Sequence, residues 1–392
     1  MKIIIVSYWH PDSGLTLAKH LSSKVDLTFL LVVYGDRYQQ GLLNLDLRKI
    51  PYGLTIDKDI ISNLLPPEIN SYINNSFKLY ILRMPSLKIL RDWRGQNIKL
   101  CFRAARYIRN NNFDVVHFNG TSGFQFYFHF FLLRKPKVYT IHDYIPHSGV
   151  EKKSPILINR ILTKLSYQFI LHSKKLCSEF IKFYKVSPKR VNAIYNGPLD
   201  IYTAYKKEET KESFFTVLFF GKISKYKGIS YLIKASEDIK KVVPEIKIII
   251  AGKGDLGIDK DKLDKKVFII DNDYIDMHTL AKYIQKSNVV VLPYIDATQS
   301  AVLMAAYAFN KPVVATNVGG IPELVDDSVT GILVPPRNSQ KLAEAIIYFL
   351  KNPDKRKEIS ENIQRKFSDG EFGWDVITEK LIDVYKKAIK NQ

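Results

Sequence analysis

The chain is poor in cysteine, long apolar runs and acidic residues, and each shortage excludes something. Only Cys101 and Cys177 occur in 392 residues, too few for a disulfide framework or a cysteine-rich metal centre. Both sit on apolar helical patterns and are expected to be reduced core residues of a cytoplasmic protein. The longest aromatic-apolar stretch, Phe124 to Leu133, is broken by Gln125 and His129. It is about half a membrane span and reads as a core helix. Met1 leads straight into Lys2-Ile3-Ile4-Ile5-Val6, a strand and not a secretion signal. After that strand stands Ser7-Tyr8-Trp9-His10-Pro11-Asp12-Ser13-Gly14, without the G-x-G-x-x-G that a nicotinamide-binding half requires. Zinc-finger, RNA-recognition and helix-turn-helix patterns are missing as well, so a nucleic-acid binder would rest on charge alone.

The charge is strongly basic, 59 Lys and Arg against 39 Asp and Glu. Residues 1–200 hold 29 basic and 13 acidic residues, so most of the excess lies there. Its densest stretch runs from Arg83 to Arg109, with Arg91, Arg94, Lys99, Arg103 and Arg106 between. Such a surface fits an anionic membrane or a phosphate-bearing acceptor better than nucleic acid, the plainer alternative being a solvated basic face.

At this length two α/β domains are expected. Continuous apolar strands at Lys2–Ser7, Asp26–Val33, Asp114–Phe118 and Lys137–His142 alternate with helices at Gly14–Leu21, Asp59–Asn74, Ile98–Asn110 and Pro155–Gln168. Strands without polar alternation belong to parallel sheets covered on both faces. A second alternating half starts at Phe215–Phe220. It continues with strands Ile246–Ala251, Val267–Ile270, Val289–Leu292, Pro312–Ala315 and Ile332–Val334. Each half is expected to be a doubly wound, Rossmann-like domain. The boundaries read as 1–195, a linker over 196–212, 213–371, and a terminal helix over 372–392.

The second half carries the clearest motifs. Val289 to Pro336 runs strand, loop, helix, strand, Gly319-Gly320 and a final strand. Its loop Ala297-Thr298-Gln299-Ser300 opens a helix, where N–H groups and the helix dipole favour an anion. Asn310-Lys311-Pro312 is expected to stop that helix through the proline. Upstream, Gly221-Lys222-Ile223-Ser224-Lys225-Tyr226-Lys227-Gly228 is a basic loop after a strand, where Lys222 and Lys227 can clamp a diphosphate. Its spacing is not that of a Walker loop. Gly252-Lys253-Gly254 ends another strand and leaves room for a base or ribose. Asp271-Asn272-Asp273 spells a D-x-D but reads as a turn, and no metal is expected.

These marks resemble the retaining glycosyltransferases of family 4, which have the GT-B fold. They are Leu292-Pro293-Tyr294, the run Ala306 to Thr316 through Lys311-Pro312, Val318-Gly319-Gly320-Ile321-Pro322-Glu323, and Thr330 to Pro336. The resemblance implies two domains facing a cleft, with the terminal helix crossing back to the N-terminal one. It further implies transfer of a sugar from a nucleoside-diphosphate sugar, with retention and without a cofactor. Gly221, Gly252, Gly254, Thr298, Gln299 and Ser300 would bind the donor, and Lys222 and Lys227 would stabilise its leaving group. Lys222 stands where that family usually has Arg. His142, in Tyr139-Thr140-Ile141-His142-Asp143, matches the family's Thr-x-His and would act at the reacting sugar. Asp143 and His147 would lie on the acceptor side, and His117 is a weaker rim candidate. The family's Glu-x7-Glu falls on Ala297 and Ala305, neither of them acidic; the A-T-Q-S that results resembles polysaccharide-assembling members. The implied enzyme is a peripheral, cytoplasmic hexosyltransferase on the inner membrane face, acting on a lipid-diphosphate-linked saccharide in surface polysaccharide synthesis. A catalytically silent fold-mate that binds nucleotide sugar is the alternative.

Overall fold

The computed structural model describes residues 1–8, 11–35, 38–39, 42–85, 95–120, 125–145, 154–165, 168–207 and 215–391. They form two compact units, one of residues 1–196 with 374–392, the other of 197–373.

The first unit is built on an eight-stranded sheet. Its strands are β1 (Lys2–Ser7), β2 (Asp26–Tyr34), β5 (Gly53–Thr55), β6 (Lys78–Met84), β7 (Val115–Asn119), β8 (Lys137–Thr140), β9 (Gln168–Leu171) and β10 (Val191–Ala193). Their order is β10-β9-β8-β7-β1-β2-β6-β5. All neighbours pair in parallel except β5, which runs antiparallel to β6. The short strands β3 (Tyr38–Gln39) and β4 (Leu45–Asp46) form a separate ribbon. Ile3, Ile4, Ile5 and Val6 are at most 1% exposed. Each such side chain contributes roughly 1.5–3 kcal/mol by leaving water, which is why β1 is central.

The terminal helix Trp374–Lys390 belongs to this unit and packs on β7, β8, β9 and the helix Pro11–Leu21. Tyr385 on it is fully buried, its hydroxyl 2.8 Å from His117 Nδ1. His20 stacks on Trp374 with ring centroids 5.0 Å apart.

Four expectations change here. The single helix over 59–74 is two short ones, Lys58–Ser62 and Pro67–Ile73. Pro66-Pro67 separates them, since a residue before proline is pushed out of the helical region. The helix expected to reach Gln168 ends at Leu165, and Gln168 opens β9. The helix expected over 124–133 spans Gln125–Phe131. Arg83 does not belong to the basic face. It is buried in β6, with Nε donating to Gly35 O at 3.0 Å, Nη1 to Ile50 O, and its guanidinium 4.1 Å from the centre of the Tyr52 ring. Arg91 and Arg94 lie outside the described residues.

The second unit has a six-stranded, wholly parallel sheet. Its strands are β11 (Thr216–Phe220), β12 (Lys247–Ala251), β13 (Phe268–Asp271), β14 (Val289–Leu292), β15 (Val313–Thr316) and β16 (Gly331–Val334), ordered β13-β12-β11-β14-β15-β16. The order reverses between β11 and β14, and ligands of such sheets bind outside the carboxyl ends at that switch. Part of the expected linker is folded: 200–205 is a 3-10 helix with Ile201 and Tyr205 buried, packed on the helices Met277–Lys286 and Ala301–Ala308. Its apolar residues at 201 and 205 give it a face to bury, whereas 208–214 lie outside the described residues.

The helix Ala301–Ala308 is ended by Asn310, not by Pro312. Asn310 has φ 52°, its N–H bonds Tyr307 O at 2.9 Å, and Lys311 N–H bonds Ala306 O at 3.0 Å. This is a Schellman stop with asparagine in the left-handed position. Lys311 Nζ then donates to Gln285 O and Ser287 O, at 2.6 and 2.9 Å, at the end of the preceding helix.

Candidate active site

At the carboxyl ends of β11 and β12 lies a cavity of about 410 Å³. Gly221, Lys222 and Gly252 line it, with Val302 and Ala305 of the helix Ala301–Ala308. A larger recess of about 590 Å³ opens beside Asp26 and Lys78, at the amino ends of β2 and β6. That is the wrong end of a parallel sheet for a substrate.

Four loops around the cavity are laced together through backbone. Ile295 N–H donates to Tyr226 O (2.7 Å), Ile223 N–H to Lys253 O (3.0 Å) and Gly320 N–H to Thr298 O (3.1 Å). Two glycines allow this approach. Gly228 has φ +66° and a Cβ there would stand 1.9 Å from Pro293 O; Gly319 has φ +58° and its Cβ would meet Ala297 O at 1.6 Å. Neither position tolerates a side chain without moving main chain.

Lys227 ends the 3-10 turn Lys225–Lys227, and its ammonium sits 3.6 Å from the centre of the Tyr294 ring. Tyr294 is fully buried and its hydroxyl lies 3.3 Å from Ser300 Oγ. The cation is therefore held by an aromatic face that is itself pinned, at the junction of the 225–228 and 293–300 loops. Lys227 is outside the cavity lining, where Lys222 is exposed.

Several expected roles change. Ser300 is 4% exposed, and its Oγ accepts from Leu303 N–H at 3.2 Å. It caps the helix and is not open to a ligand. Gly254 is outside the cavity lining; a Cβ on it would meet Ile223 O at 2.0 Å, so it serves the packing of one loop on another. Thr298 and Gln299 are half-buried and take no part in that lining. Ala297 and Ala305 are buried, at 5% and 1% exposure.

In the first unit, polar side chains gather at the carboxyl ends of the central strands. His142 Nε2 bonds Asn119 Oδ1 at 3.0 Å, and Asn119 Nδ2 donates to Ser7 Oγ at 3.3 Å. The Asn119 carbonyl oxygen thus faces the imidazole, so Nε2 carries the proton. The ring of His172 lies 5.1 Å from that of His142. Asp143 is exposed beside them; His147 is outside the described residues. Ser7, Asn119 and His172 escaped the sequence reading. Their signal was position, since each stands at or just past the carboxyl end of an apolar strand. His117 is no rim residue. It is fully buried, with Nδ1 2.8 Å from Tyr385 Oη and Nε2 2.8 Å from Thr140 Oγ1, and burial holds its pKa down at about 3.

The sequence matches Glycosyl transferases group 1 over residues 201–366 and Glycosyltransferase Family 4 over residues 66–198. The chain belongs to these glycosyltransferases. An uncharacterized glycosyltransferase of Methanocaldococcus jannaschii is 28% identical over 285 residues, 66% of this chain and 71% of that protein. A 41.2 kDa protein in the cps region of Klebsiella pneumoniae is 25% identical over 359 residues, 85% and 94% of the two chains. Among solved structures, Anabaena HepE in complex with UDP superposes with a TM-score of 0.66 at 18% identity, over 98% of this chain and 100% of that one. The sucrose-phosphate synthase of Thermosynechococcus elongatus gives 0.67 at 15% identity, over the whole of both. The glycosyltransferase thus has the two Rossmann-like domains of the GT-B fold. Among the described residues no helix is long and apolar enough to cross a membrane.

Proposed function

We propose that the enzyme transfers a hexosyl unit from a nucleoside-diphosphate sugar to a hydroxyl of a lipid-diphosphate-linked saccharide, with retention, in surface polysaccharide synthesis. The observation that carries this reading is the cavity at the β11–β12 edge, bounded by Lys222 and by loops that glycine holds together, within the segment that matches group 1 transferases. HepE, solved with UDP-glucose, supports a nucleotide-sugar donor. The Klebsiella relative's cps region supports the polysaccharide setting.

In this reading Lys222 and Lys227 face the diphosphate and offset the charge that grows as the bond from the anomeric carbon to the phosphate oxygen breaks. The acceptor oxygen attacks the same face, and its proton passes to the departing phosphate oxygen. No cofactor or metal enters the proposal. His142, with its tautomer set by Asn119, positions the sugar. Asp143 and His147 belong to the acceptor side.

Peripheral attachment to an anionic membrane, on the cytoplasmic face, is part of the same reading. The helix Gln96–Asn110 exposes Lys99, Arg103, Arg106 and Arg109 together with Ile98 and Phe102. Phe102 packs edge-on to Phe131, 5.2 Å between centroids, and Phe130 and Leu133 are exposed on that neighbouring segment. Cations beside exposed aromatic and aliphatic groups suit a headgroup layer, where each contributes about 1 kcal/mol and is screened by salt. Arg103→Glu with Arg106→Glu is expected to abolish sedimentation with anionic vesicles at low salt; unchanged sedimentation overturns the attachment.

The buried alanines at 297 and 305 favour one second reading, a nucleotide-sugar-binding subunit without turnover. Transfer by the wild-type chain separates the two, and Lys227→Ala then tests the enzyme. In an enzyme it should lower transfer about 10²-fold with folding intact, as loss of leaving-group stabilisation does. Lys222→Arg should be tolerated. Donor binding with no transfer in the wild-type chain, across lipid-linked acceptors, would favour the silent reading.

A further inference from the structure

Asp271-Asn272-Asp273 reads in sequence as a turn, and two of its residues do hold loops. Asp271 Oδ2 accepts from Tyr283 Oη at 3.3 Å, and Asn272 Oδ1 accepts from Gly254 N–H at 3.2 Å. Asp273 is different. It lines the cavity and is the single carboxylate among the described residues that do so. Lys253, also in the lining, lies 3.5 Å from it. The Tyr274 N–H (2.7 Å) and then Lys253 hold the Asp273 carboxyl below its ordinary pKa, so it is a pure acceptor at neutral pH.

A carboxylate cannot face a diphosphate, so Asp273 serves the nucleoside end of a donor in this cavity. Ile275, Leu280, Val302 and Ala305 give the lining an apolar surface for a base to rest on. Beside the tyrosines Tyr202 and Tyr274, the lining carries a carboxylate next to a cationic donor: Asp273 Oδ1 accepts from Tyr274 N–H and faces Lys253, which leaves Oδ2 and the remaining lone pair of Oδ1 to a base. Uracil presents one N–H between two carbonyl oxygens, so one carboxylate oxygen would be repelled. Adenine and cytosine present one amine beside a ring-nitrogen acceptor, again matching one oxygen only. Guanine presents N1–H and the 2-amine side by side, with O6 next to them for an ammonium. It alone uses both oxygens and the lysine.

We propose that Asp273 and Lys253 read the base of the donor nucleotide and select guanine. This rests on the nucleotide-sugar reading of the cavity. A bidentate, charge-assisted pair of this kind discriminates by about tenfold to a hundredfold.

The experiment is calorimetric titration of the full chain with GDP, IDP, UDP, CDP and ADP, for the wild type and for Asp273→Asn. The wild type should bind GDP best, and IDP, which lacks the 2-amine, about tenfold or more weakly. Asp273→Asn should lose most of the GDP affinity and bring GDP and IDP together, while UDP binding stays unchanged. The side chain of Asp273 is 76% exposed, so the variant should fold, and an unaltered melting temperature checks this. UDP binding as tightly as GDP, or IDP matching GDP in the wild type, overturns the guanine assignment and leaves the donor site standing. Equal weakening of GDP and UDP in Asp273→Asn gives the carboxylate to the ribose and likewise overturns it. No binding of any nucleoside diphosphate removes the donor reading and this inference with it.

Discussion

The two units present the carboxyl ends of their sheets in different ways. In the second, main chain touches main chain: Gly228 lies on Pro293, Gly319 on Ala297, and the cations stand on a scaffold in which those side chains are forbidden. In the first, side chain touches side chain, and Ser7, Asn119 and His142 form a row of hydrogen bonds. A scaffold of main chain admits little change without moving backbone, whereas a row of side chains can be altered one residue at a time; in the proposed reading the first suits the diphosphate and the second the acceptor.

The largest effect should come from breaking the backbone lacing. Gly319→Ala combines a left-handed φ with a carbonyl in the way, and is expected to cost roughly 1–3 kcal/mol and to abolish nucleotide binding. Gly35→Ala in the first unit has φ +81° but nothing within 4 Å, so it should cost only the backbone strain and spare activity. Denaturant unfolding with nucleotide titration compares them, and equal losses would erase the distinction between the edges.

Next come the functional side chains. His142→Ala should depress sugar transfer with nucleoside-diphosphate affinity nearly unchanged, whereas Lys222→Ala should weaken that affinity. A large loss of nucleotide affinity in His142→Ala, with transfer per bound donor preserved, would move His142 into the donor site. Ala305→Glu should not raise activity, since it places a charged side chain at a 1% exposed position in the lining of the cavity proposed to hold an anionic donor.

A pH effect should single out the first unit. His117 has a folded pKa of about 3 against an ordinary 6.5, and His129 is held at about 4 by burial and then by Lys137. Between these values and 6.5 the unfolded chain binds protons that the folded one refuses. Stability is therefore unaffected above about 6.5 and falls as pH drops, by about 1.4 kcal/mol per pH unit for one fully shifted group. His117→Gln should flatten that slope in urea unfolding; an unchanged slope assigns it elsewhere. The smallest effect is expected of Tyr385→Phe, which loses one hydrogen bond worth about 1 kcal/mol.

What could be read beforehand follows from the range of the interactions. Val289–Leu292 and Val313–Thr316 are apolar runs bounded by Pro293 and Pro312, and a parallel sheet asks for little else. Lys78–Met84 went unread because its Arg83 looks like surface charge. Its carbonyl partners, Gly35 and Ile50, lie 48 and 33 residues away. Ser300 was misread for the opposite reason, since a hydroxyl at a helix start serves an anion and a cap equally well, and only the bond to Leu303 N–H decides. Lys227 was legible as a cation, but its seat on Tyr294 was not, because that ring lies across two loops.

The return of the helix Trp374–Lys390 to the first unit has a consequence for how the chain is made. Synthesis delivers the eight-stranded sheet of that unit before the second unit, and the helix that covers β7, β8 and β9 only after it. Until then the nascent first unit lacks Tyr385, one of the two partners of His117, and leaves apolar surface open, while the second unit, contiguous from 197 to 373, can close on its own. Domains that complete as they emerge fold first. Here the half that leaves the ribosome first should reach its native state second, and removal of residues 374–390 would leave the second unit complete and the first without its covering helix.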